Sequence, residues 1–298
     1  MKKLFITAAA MMAFAVCGAQ LVTVESVQRV GNALGEKAVI SPDGQFVVTN
    51  TMTSLKRVNV SDGTEKVIAN GEGLYNYAVS SDGATVVYSR PQFKKNHLRY
   101  VSLESVDATG SAPKVLVKAS RKLGSGYSLS NGSLNAVENG KLRTKALGAA
   151  KATAAPVASI NYGHLDVTVN GKTTTIDPQG RGSYIWPSIS PDGTRVCYWL
   201  IGGGCFTCNL DGSDVKSHGA LRAATWAGNN MLVGMDEIEG DSQNVASCSI
   251  VALDVNTNQT QKLTDDTVKA TYPSASADGS RIAFTTPTGE IYVINVVK

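Results

Sequence analysis

Charged side chains are scarce in this sequence of 298 residues. Asp, Glu, Lys and Arg make up 17%, where about a quarter is usual for a soluble protein. The formal net charge is only +4, and Lys2 and Lys3 supply two of those charges, so the composition gives no basis for binding nucleic acid. A hydrophobic fraction of 43% excludes a disordered chain, a coiled coil and collagen.

Long apolar runs are missing except at the start of the chain. Lys2 and Lys3 precede an apolar stretch over residues 4–15, and Cys17 and Ala19 place small residues at positions −3 and −1 of a cut after Ala19. This layout is typical of a secretory signal peptide. Two alternatives stay open: an uncleaved anchor, and lipid attachment at Cys17 after cleavage before it.

The predicted organisation is therefore a signal peptide over residues 1–19 and one domain over residues 20–298. No later stretch approaches the ~18 apolar residues of a membrane span, so we expect a mature chain that does not cross a membrane. The predicted location is outside the cytoplasm of a bacterium, in the periplasm, on the cell surface or secreted. The oligomeric state expected is a monomer.

A repeat runs along the mature chain. Its clear copies begin at Ile40, Val79, Ile189 and Ala275, and each reads as an apolar residue, Ser, one variable residue, Asp-Gly and a β-rich run. Two degraded copies surround Asn131 and Gly228. The anchor residues are separated by 39, 49, 61, 36 and 50 residues, and most of these gaps fit a four-stranded propeller blade.

Each copy has the chemistry of a β-hairpin. Asp-Gly between two apolar alternating runs forms a tight turn in which Gly adopts positive φ, and helical periodicity is absent. Only twenty residues follow Asp278, enough for two strands, while residues 21–30 form a strand without a blade of its own. We therefore predict an all-β fold, a single β-propeller whose last blade is closed by the N-terminal strand.

The number of blades depends on the 61-residue gap. A further hairpin lies there, with strands at 164–169 and 172–176 joined by Asn170-Gly171. It is either the outer half of the third blade or an extra blade. We predict six four-stranded blades, with seven as the alternative.

The repeats resemble those of TolB-type β-propellers, which are similar to the propeller of prolyl-oligopeptidase-type enzymes. The resemblance rests on the Ser-Pro-Asp-Gly turn, the apolar strand after it, and the strand ends Leu210-Asp211-Gly212 and Leu253-Asp254-Val255. It covers roughly residues 37–298. It implies the fold, but little about function, because such propellers serve as docking platforms, substrate gates and, rarely, enzymes.

Catalytic motifs are absent from the sequence. There is no Gly-x-Ser-x-Gly in a plausible context, no His-Glu-x-x-His and no phosphate-binding loop, so we predict no catalytic residue, no metal and no cofactor and lean against an enzyme. Some propellers of the resembling type are metal-dependent lyases acting on acidic oligosaccharides. That alternative needs histidines in the channel, and only His218 is placed to contribute.

Four cysteines remain after Cys17, an even number that suits an oxidising compartment. A turn centred between Gly202 and Gly203 would place Cys197 opposite Cys208. We predict a cross-strand disulfide between them, with reduced buried thiols as the alternative.

A ligand of a propeller is expected at a mouth of the central channel, near the start of the innermost strands. Counting back six residues from the anchors gives candidate ligand-binding residues, of which we select Lys37, Asn76, Trp186, Arg222 and Tyr272. Aromatic rings interleaved with cations suit a carboxylate, a peptide terminus or an acidic sugar; alternatively, the aromatic residues are wedges between blades. The predicted function is a non-catalytic docking module for an envelope protein, peptide or glycan.

Overall fold

The computed structural model describes residues 20–149, 151–239 and 245–297, and these residues form twenty-six β-strands in seven antiparallel sheets. Each sheet is one blade of a β-propeller, and in blades 1 to 6 the strands run from the central channel outward in chain order. The predicted signal peptide, residues 1–19, lies outside the described residues.

Blades 1 to 3 hold eleven strands. Blade 1 comprises β2 (Ala38–Ile40), β3 (Phe46–Asn50), β4 (Ser54–Asn59) and β5 (Glu65–Asn70). Blade 2 comprises β6 (Tyr75–Val79), β7 (Thr85–Phe93), β8 (Arg99–Asp107) and β9 (Lys114–Ser120). Blade 3 has three strands, β10 (Leu123–Ser130), β11 (Ser133–Glu138) and β12 (Lys141–Ala146).

Blades 4 to 6 follow. Blade 4 also has three strands, β13 (Val157–Asn161), β14 (His164–Val169) and β15 (Lys172–Thr175). Blade 5 comprises β16 (Tyr184–Ile189), β17 (Arg195–Leu200), β18 (Gly204–Asn209) and β19 (Lys216–Ser217). Blade 6 comprises β20 (Arg222–Trp226), β21 (Met231–Glu239), β22 (Val245–Asp254) and β23 (Thr260–Lys262).

Blade 7 closes the ring with strands from both ends of the described chain. It contains β24 (Thr271–Ala275), β25 (Arg281–Thr285) and β26 (Glu290–Val297), and its outermost strand is β1 (Thr23–Leu34). The predicted closure by the N-terminal strand is therefore confirmed. Gln261 of blade 6 secures the first residues, since its amide accepts from Leu21 N and Val22 N and donates to Val22 O at 2.8–3.0 Å.

The four clear Ser-x-Asp-Gly copies fold into one repeated turn. In blade 2, the buried Ser80 hydroxyl donates to Asp82 at 2.5 Å and accepts from Thr85 N at 2.9 Å. The same pair of bonds recurs at Ser41, Ser190 and Ser276. The glycine after each Asp has φ of 71–72°, the left-handed conformation that favours this residue.

These turns mark one end of the channel. In six blades the innermost strand begins at the opposite end and leads into the turn, and neighbouring turns touch, as where Ala277 N donates to Pro42 O. We call the end at which those strands begin the loop mouth, and the end that carries the Ser-x-Asp-Gly turns the turn mouth.

Blade 4 runs in the reverse direction, and this corrects the blade count from six to the alternative of seven. Ile160 N, near the end of β13, donates to Ser125 Oγ, near the start of β10, at 2.8 Å. The turn after β13 lies beside the first residue of β16, where Gly163 O accepts from Tyr184 N. This turn, Tyr162-Gly163, is therefore at the loop mouth, and the 61-residue gap holds the two outer strands of blade 3, all three strands of blade 4 and the first strand of blade 5.

The core lies between the blades. Six of the seven interfaces have a cluster of buried apolar side chains among the described residues, for example Leu55, Leu74 and Tyr88 between blades 1 and 2. Blades 3 and 4 meet differently, by close backbone approach. A Cβ on Gly126 would lie 2.2 Å from Ala158 O, so the absence of a side chain permits this contact.

Candidate functional site

The innermost strands are bulged near the loop mouth. Pairing shifts register in β6, β16, β20 and β24. At each shift one residue other than glycine has positive φ: Asn76 at 47°, Trp186 at 51°, Ala223 at 47° and Tyr272 at 51°. Bulges redirect side chains and cluster near functional sites, and left-handed backbone at residues such as Trp and Tyr is strained.

This geometry brings the predicted site residues into equivalent positions. Asn76, Trp186 and Tyr272 each lie four residues before the buried serine of their turn, and Lys37 has that spacing in blade 1 without positive φ. Arg222 directly precedes the bulge residue of blade 6. All five predicted residues therefore lie at the start of innermost strands, at the loop mouth.

Trp186 and Arg222 form one cluster across blades 5 and 6. The rings of Trp186 and Trp199 are 6.3 Å apart at 54°, and the Arg222 guanidinium lies 5.9 Å from the Trp199 ring. Arg222 Nη1 also pairs with Glu237 at 3.0 Å. Its Nε is buried without a hydrogen-bond partner among the described residues, so the cluster keeps an unsatisfied donor.

Lys37 supplies a second cation. Its side chain is exposed, yet the protein around it lowers the pKa of the ammonium by desolvation. A lysine in the wall of a channel is expected to combine these two properties, because it is accessible to solvent and yet has protein around it. No described residue pairs with this ammonium, whereas the Lys37 carbonyl accepts from Tyr77 OH and Thr49 Oγ1 at 2.6 Å.

Asn76 has a structural contact instead. Its side-chain amide donates to Ser125 O at 3.1 Å, and its carbonyl accepts from Tyr127 OH at 2.5 Å. Both bonds join blade 2 to blade 3. The Asn76 side chain therefore serves to join two blades.

The aromatic residues near the channel divide into two groups. Tyr77, Tyr127 and Trp226 reach back to the innermost strand of the preceding blade, or to the residue before it, and bond its backbone carbonyls. Burial raises the pKa of both phenols, as expected of wedges. Trp186 and Tyr272 remain 36% and 40% exposed, so these two rings are available to a ligand.

Sequence reasoning missed an apolar rim around the loop mouth. Leu34, Met52, Phe93, Leu98, Tyr162, Trp186, Ile201, Ile238 and Tyr272 are exposed there. Met52 is 82% exposed, Phe93 74% and Tyr162 fully exposed. The remaining exposed large hydrophobic residues of the described chain are five valines on or beside outer strands. The sequence does contain a signal for this rim, since several of its large apolar side chains lie in loops, where polar residues are usual.

One small cavity lies beside the channel. A cavity of about 240 Å³ lies between the innermost strands of blades 3, 4 and 5, lined by Tyr127, Ser128, Ala158, Ser188 and neighbouring residues. Small-molecule sites usually occupy about 300–1,000 Å³. This cavity is therefore smaller than the usual range for such sites, and none of the five predicted ligand-binding residues lines it.

The predicted pairing of Cys197 with Cys208 used a register that is wrong by one residue. Cys197 is opposite Thr207, and Cys208 is opposite Val196. Because successive side chains in a strand alternate between faces, the two thiols lie on opposite sides of the blade, one packed against blade 6 and the other against blade 4. Both are free and buried; Cys197 Sγ instead lies 3.8 Å from Cys205 Sγ.

His218 does not reach the channel. Its imidazole is buried between Thr207 Oγ1 at 2.8 Å and Asn258 Oδ1 at 2.5 Å, and burial lowers its pKa. Within residues 20–149, 151–239 and 245–297, no three His, Cys, Asp or Glu side chains come together as metal ligands would. The geometry at His218 thus does not support the lyase alternative.

We compared the sequence and the fold with those of known proteins. No protein-family profile matches the sequence, and no curated protein matches it. Among solved structures, the "putative TolB from Agrobacterium tumefaciens" superimposes with a TM-score of 0.53, covering 88% of this chain and 89% of that one, at 16% identity. The fold is that of a TolB-like propeller.

The resemblance inferred from the repeats is thus confirmed at the level of the fold. At 16% identity the likeness carries the TolB-like architecture alone, and the loop-mouth residues must be interpreted by their own chemistry. In the part of the TolB-like propeller that the structure describes, no helix has the length and apolar character needed to span a bilayer.

Proposed function

We propose that this protein is an exported, non-catalytic docking module that binds an extended segment of a partner protein at the loop mouth. The observation that carries the proposal is the apolar rim. Exposed apolar side chains are typical of protein-binding surfaces where they are concentrated, and nine of the fourteen exposed large hydrophobic residues of the described chain lie at this mouth, Trp186 and Tyr272 among them.

The polar groups at the mouth complement such a segment. The Lys37 ammonium has no ion pair with a described residue, and the guanidinium of Arg222, whose side chain is 37% exposed, lies over the same Trp199 ring that the exposed Trp186 contacts. Backbone carbonyls and a carboxylate of the partner would accept from these cations, while the rings and the rim contact its apolar side chains. Trp186 is the expected main contact, because Trp and Arg dominate the energetics of interfaces.

Export is proposed from the first residues of the sequence. Lys2, Lys3, the apolar stretch and the small residues before Gln20 support removal of a signal peptide. N-terminal sequencing of protein recovered from the envelope of its bacterial host is expected to start at Gln20. An N-terminus at a lipid-modified Cys17 would instead show that the protein is a lipoprotein.

The docking proposal is tested by selecting binding peptides from a displayed random library on purified residues 20–298. Peptides with measurable affinity are expected to lose about 30-fold with Trp186→Ala and about tenfold with Arg222→Ala. Val115→Ala, an exposed valine on β9 far from the mouth, is the matched control and should change nothing.

Peptides whose binding is equal in the Trp186→Ala and Val115→Ala proteins would contradict docking at the loop mouth. An oligosaccharide array in parallel identifies the other class of ligand. If a glycan binds in a Trp186-dependent manner and no peptide binds, the partner is a carbohydrate and the proposal of a protein partner is wrong.

A further inference from the structure

The outer edges of the blades differ in how well they are protected against strand addition. A regular exposed edge strand offers free backbone groups to another chain, and proteins usually shorten or bulge such strands. Here β19 and β23 have two and three residues, and β1, β5 and β9 pair with register shifts. Blade 3 lacks a fourth strand, so its edge is β12.

The β12 strand has neither form of protection. All six of its residues pair with β11 without a register shift. Leu147 N donates to Gly132 O in the same register. Because hydrogen-bonded and non-hydrogen-bonded pairs alternate along an antiparallel ladder, this bond shows which β12 residues bond to β11 and which do not. Leu142, Thr144 and Ala146 therefore direct their N–H and C=O groups away from β11, and no described residue bonds to these groups.

Positively charged side chains line this edge. Lys141, Arg143 and Lys145 alternate along β12, exposed on one face. Arg143 pairs with Glu138 at 3.1 Å, whereas neither lysine has an ion pair with a described residue. A second copy of β12 would place like charges across the new pair, which is destabilising, while acidic side chains in those positions would be stabilising.

We propose that β12 is a docking edge that accepts an acidic, extended segment of a partner protein as the missing fourth strand of blade 3. The partner contributes backbone hydrogen bonds to Leu142, Thr144 and Ala146, and two of its Asp or Glu side chains, four residues apart in its sequence, lie beside Lys141 and Lys145. This is strand addition to an open sheet edge. It is independent of the loop mouth, so Trp186→Ala is expected to leave it unchanged.

The probe for the test is a fluorescent acetylated peptide in which Glu alternates with Thr and Val, titrated against purified residues 20–298. Thr144→Pro removes one outward N–H but no hydrogen bond of the β11–β12 ladder, and proline is tolerated on such an edge. Thr144→Val keeps that N–H and, like the proline variant, loses the hydroxyl bond to Asn135.

We expect about tenfold weaker binding with Thr144→Pro and nearly wild-type binding with Thr144→Val. The pair Lys141→Glu and Lys145→Glu should abolish binding of the acidic peptide and allow binding of its Lys-containing counterpart. Equal affinities of the Pro and Val variants would overturn the proposal, because the peptide would then adhere through charge alone.

Amide hydrogen exchange gives a readout that needs no variant. Adding the peptide to the wild-type protein should slow exchange at Leu142, Thr144 and Ala146. The amides of Arg143 and Lys145 already bond to β11 and should change little. Absence of new protection at the three outward amides, or a concentration-dependent dimer that Thr144→Pro abolishes, would refute an acidic partner at this edge.

Discussion

Loss of the Ser80 hydroxyl, a single atom group in one of the repeated turns, should destabilise the propeller because this hydroxyl forms two hydrogen bonds. The Ser80 side chain is buried; it donates to the Asp82 carboxylate at 2.5 Å and is the only described acceptor of Thr85 N, at 2.9 Å. Ser80→Ala removes a bond to a charged group and leaves a part-buried N–H without its acceptor. Each loss costs about 1–3 kcal/mol, and because Asp82 is largely exposed we expect about 2–4 kcal/mol in total.

The adjacent residue provides the control. Ser81 is exposed, and its side chain has no hydrogen bond to a described residue, so Ser81→Ala should stay within about 0.5 kcal/mol of wild type. The assay is urea unfolding of both variants and wild type, followed by circular dichroism. Indistinguishable unfolding midpoints for the two alanine variants at pH 7 would refute the explanation of the motif.

The same pair of variants has an expected pH dependence. The Ser80 hydroxyl and Ala84 N–H lower the pKa of Asp82 from its ordinary value. A carboxyl whose pKa is lower in the folded state stabilises the fold above its unfolded pKa, and this contribution is lost as pH falls through the folded pKa. The difference between wild type and Ser80→Ala should therefore be largest near neutral pH and shrink in acid.

Two further predictions concern the seam between blades 3 and 4 and the thiols. Gly126→Ala should cost about 1–3 kcal/mol of unfolding free energy because its Cβ would collide with Ala158 O, whereas the exposed Gly148→Ala, with open space around it, should be neutral in the same urea titration. All four described cysteines should react with a thiol reagent only after unfolding, because burial raises the pKa of Cys208 to about 12 and that of Cys248 to about 11; rapid labelling of the native protein at pH 8 would contradict this.

The turns could be predicted from sequence because their chemistry is local. Ser, Asp and Gly at fixed spacing satisfy one another within six residues, so four copies revealed a propeller. Blade 4 could not be counted, since its turn, Tyr162-Gly163, faces the other mouth and uses no Ser or Asp. Its direction depends on contacts between β13 and β10, which no local motif encodes.

The candidate site was predictable in position but not in composition. A fixed distance from each turn located Trp186, Arg222 and Tyr272 at the channel, because the three innermost strands that carry them have five or six residues each. The apolar rim was not found, since residues such as Met52 and Phe93 belong to different blades and only ring closure gathers them. The cysteine register failed for a smaller reason, a displacement of one residue in the β17–β18 turn.

Ring closure by β1 also determines how the molecule responds to mechanical force. Thr23 pairs with Val297, so the first residues of β1 lie beside the last residues of β26. Tension that separates these two ends acts perpendicular to the strands and breaks the hydrogen bonds between β1 and β26 one after another, beginning at Thr23 and Val297. Tension applied along either strand would have to break them together. Blade 7 is thus the blade through which pulling on both ends of this chain would open the ring.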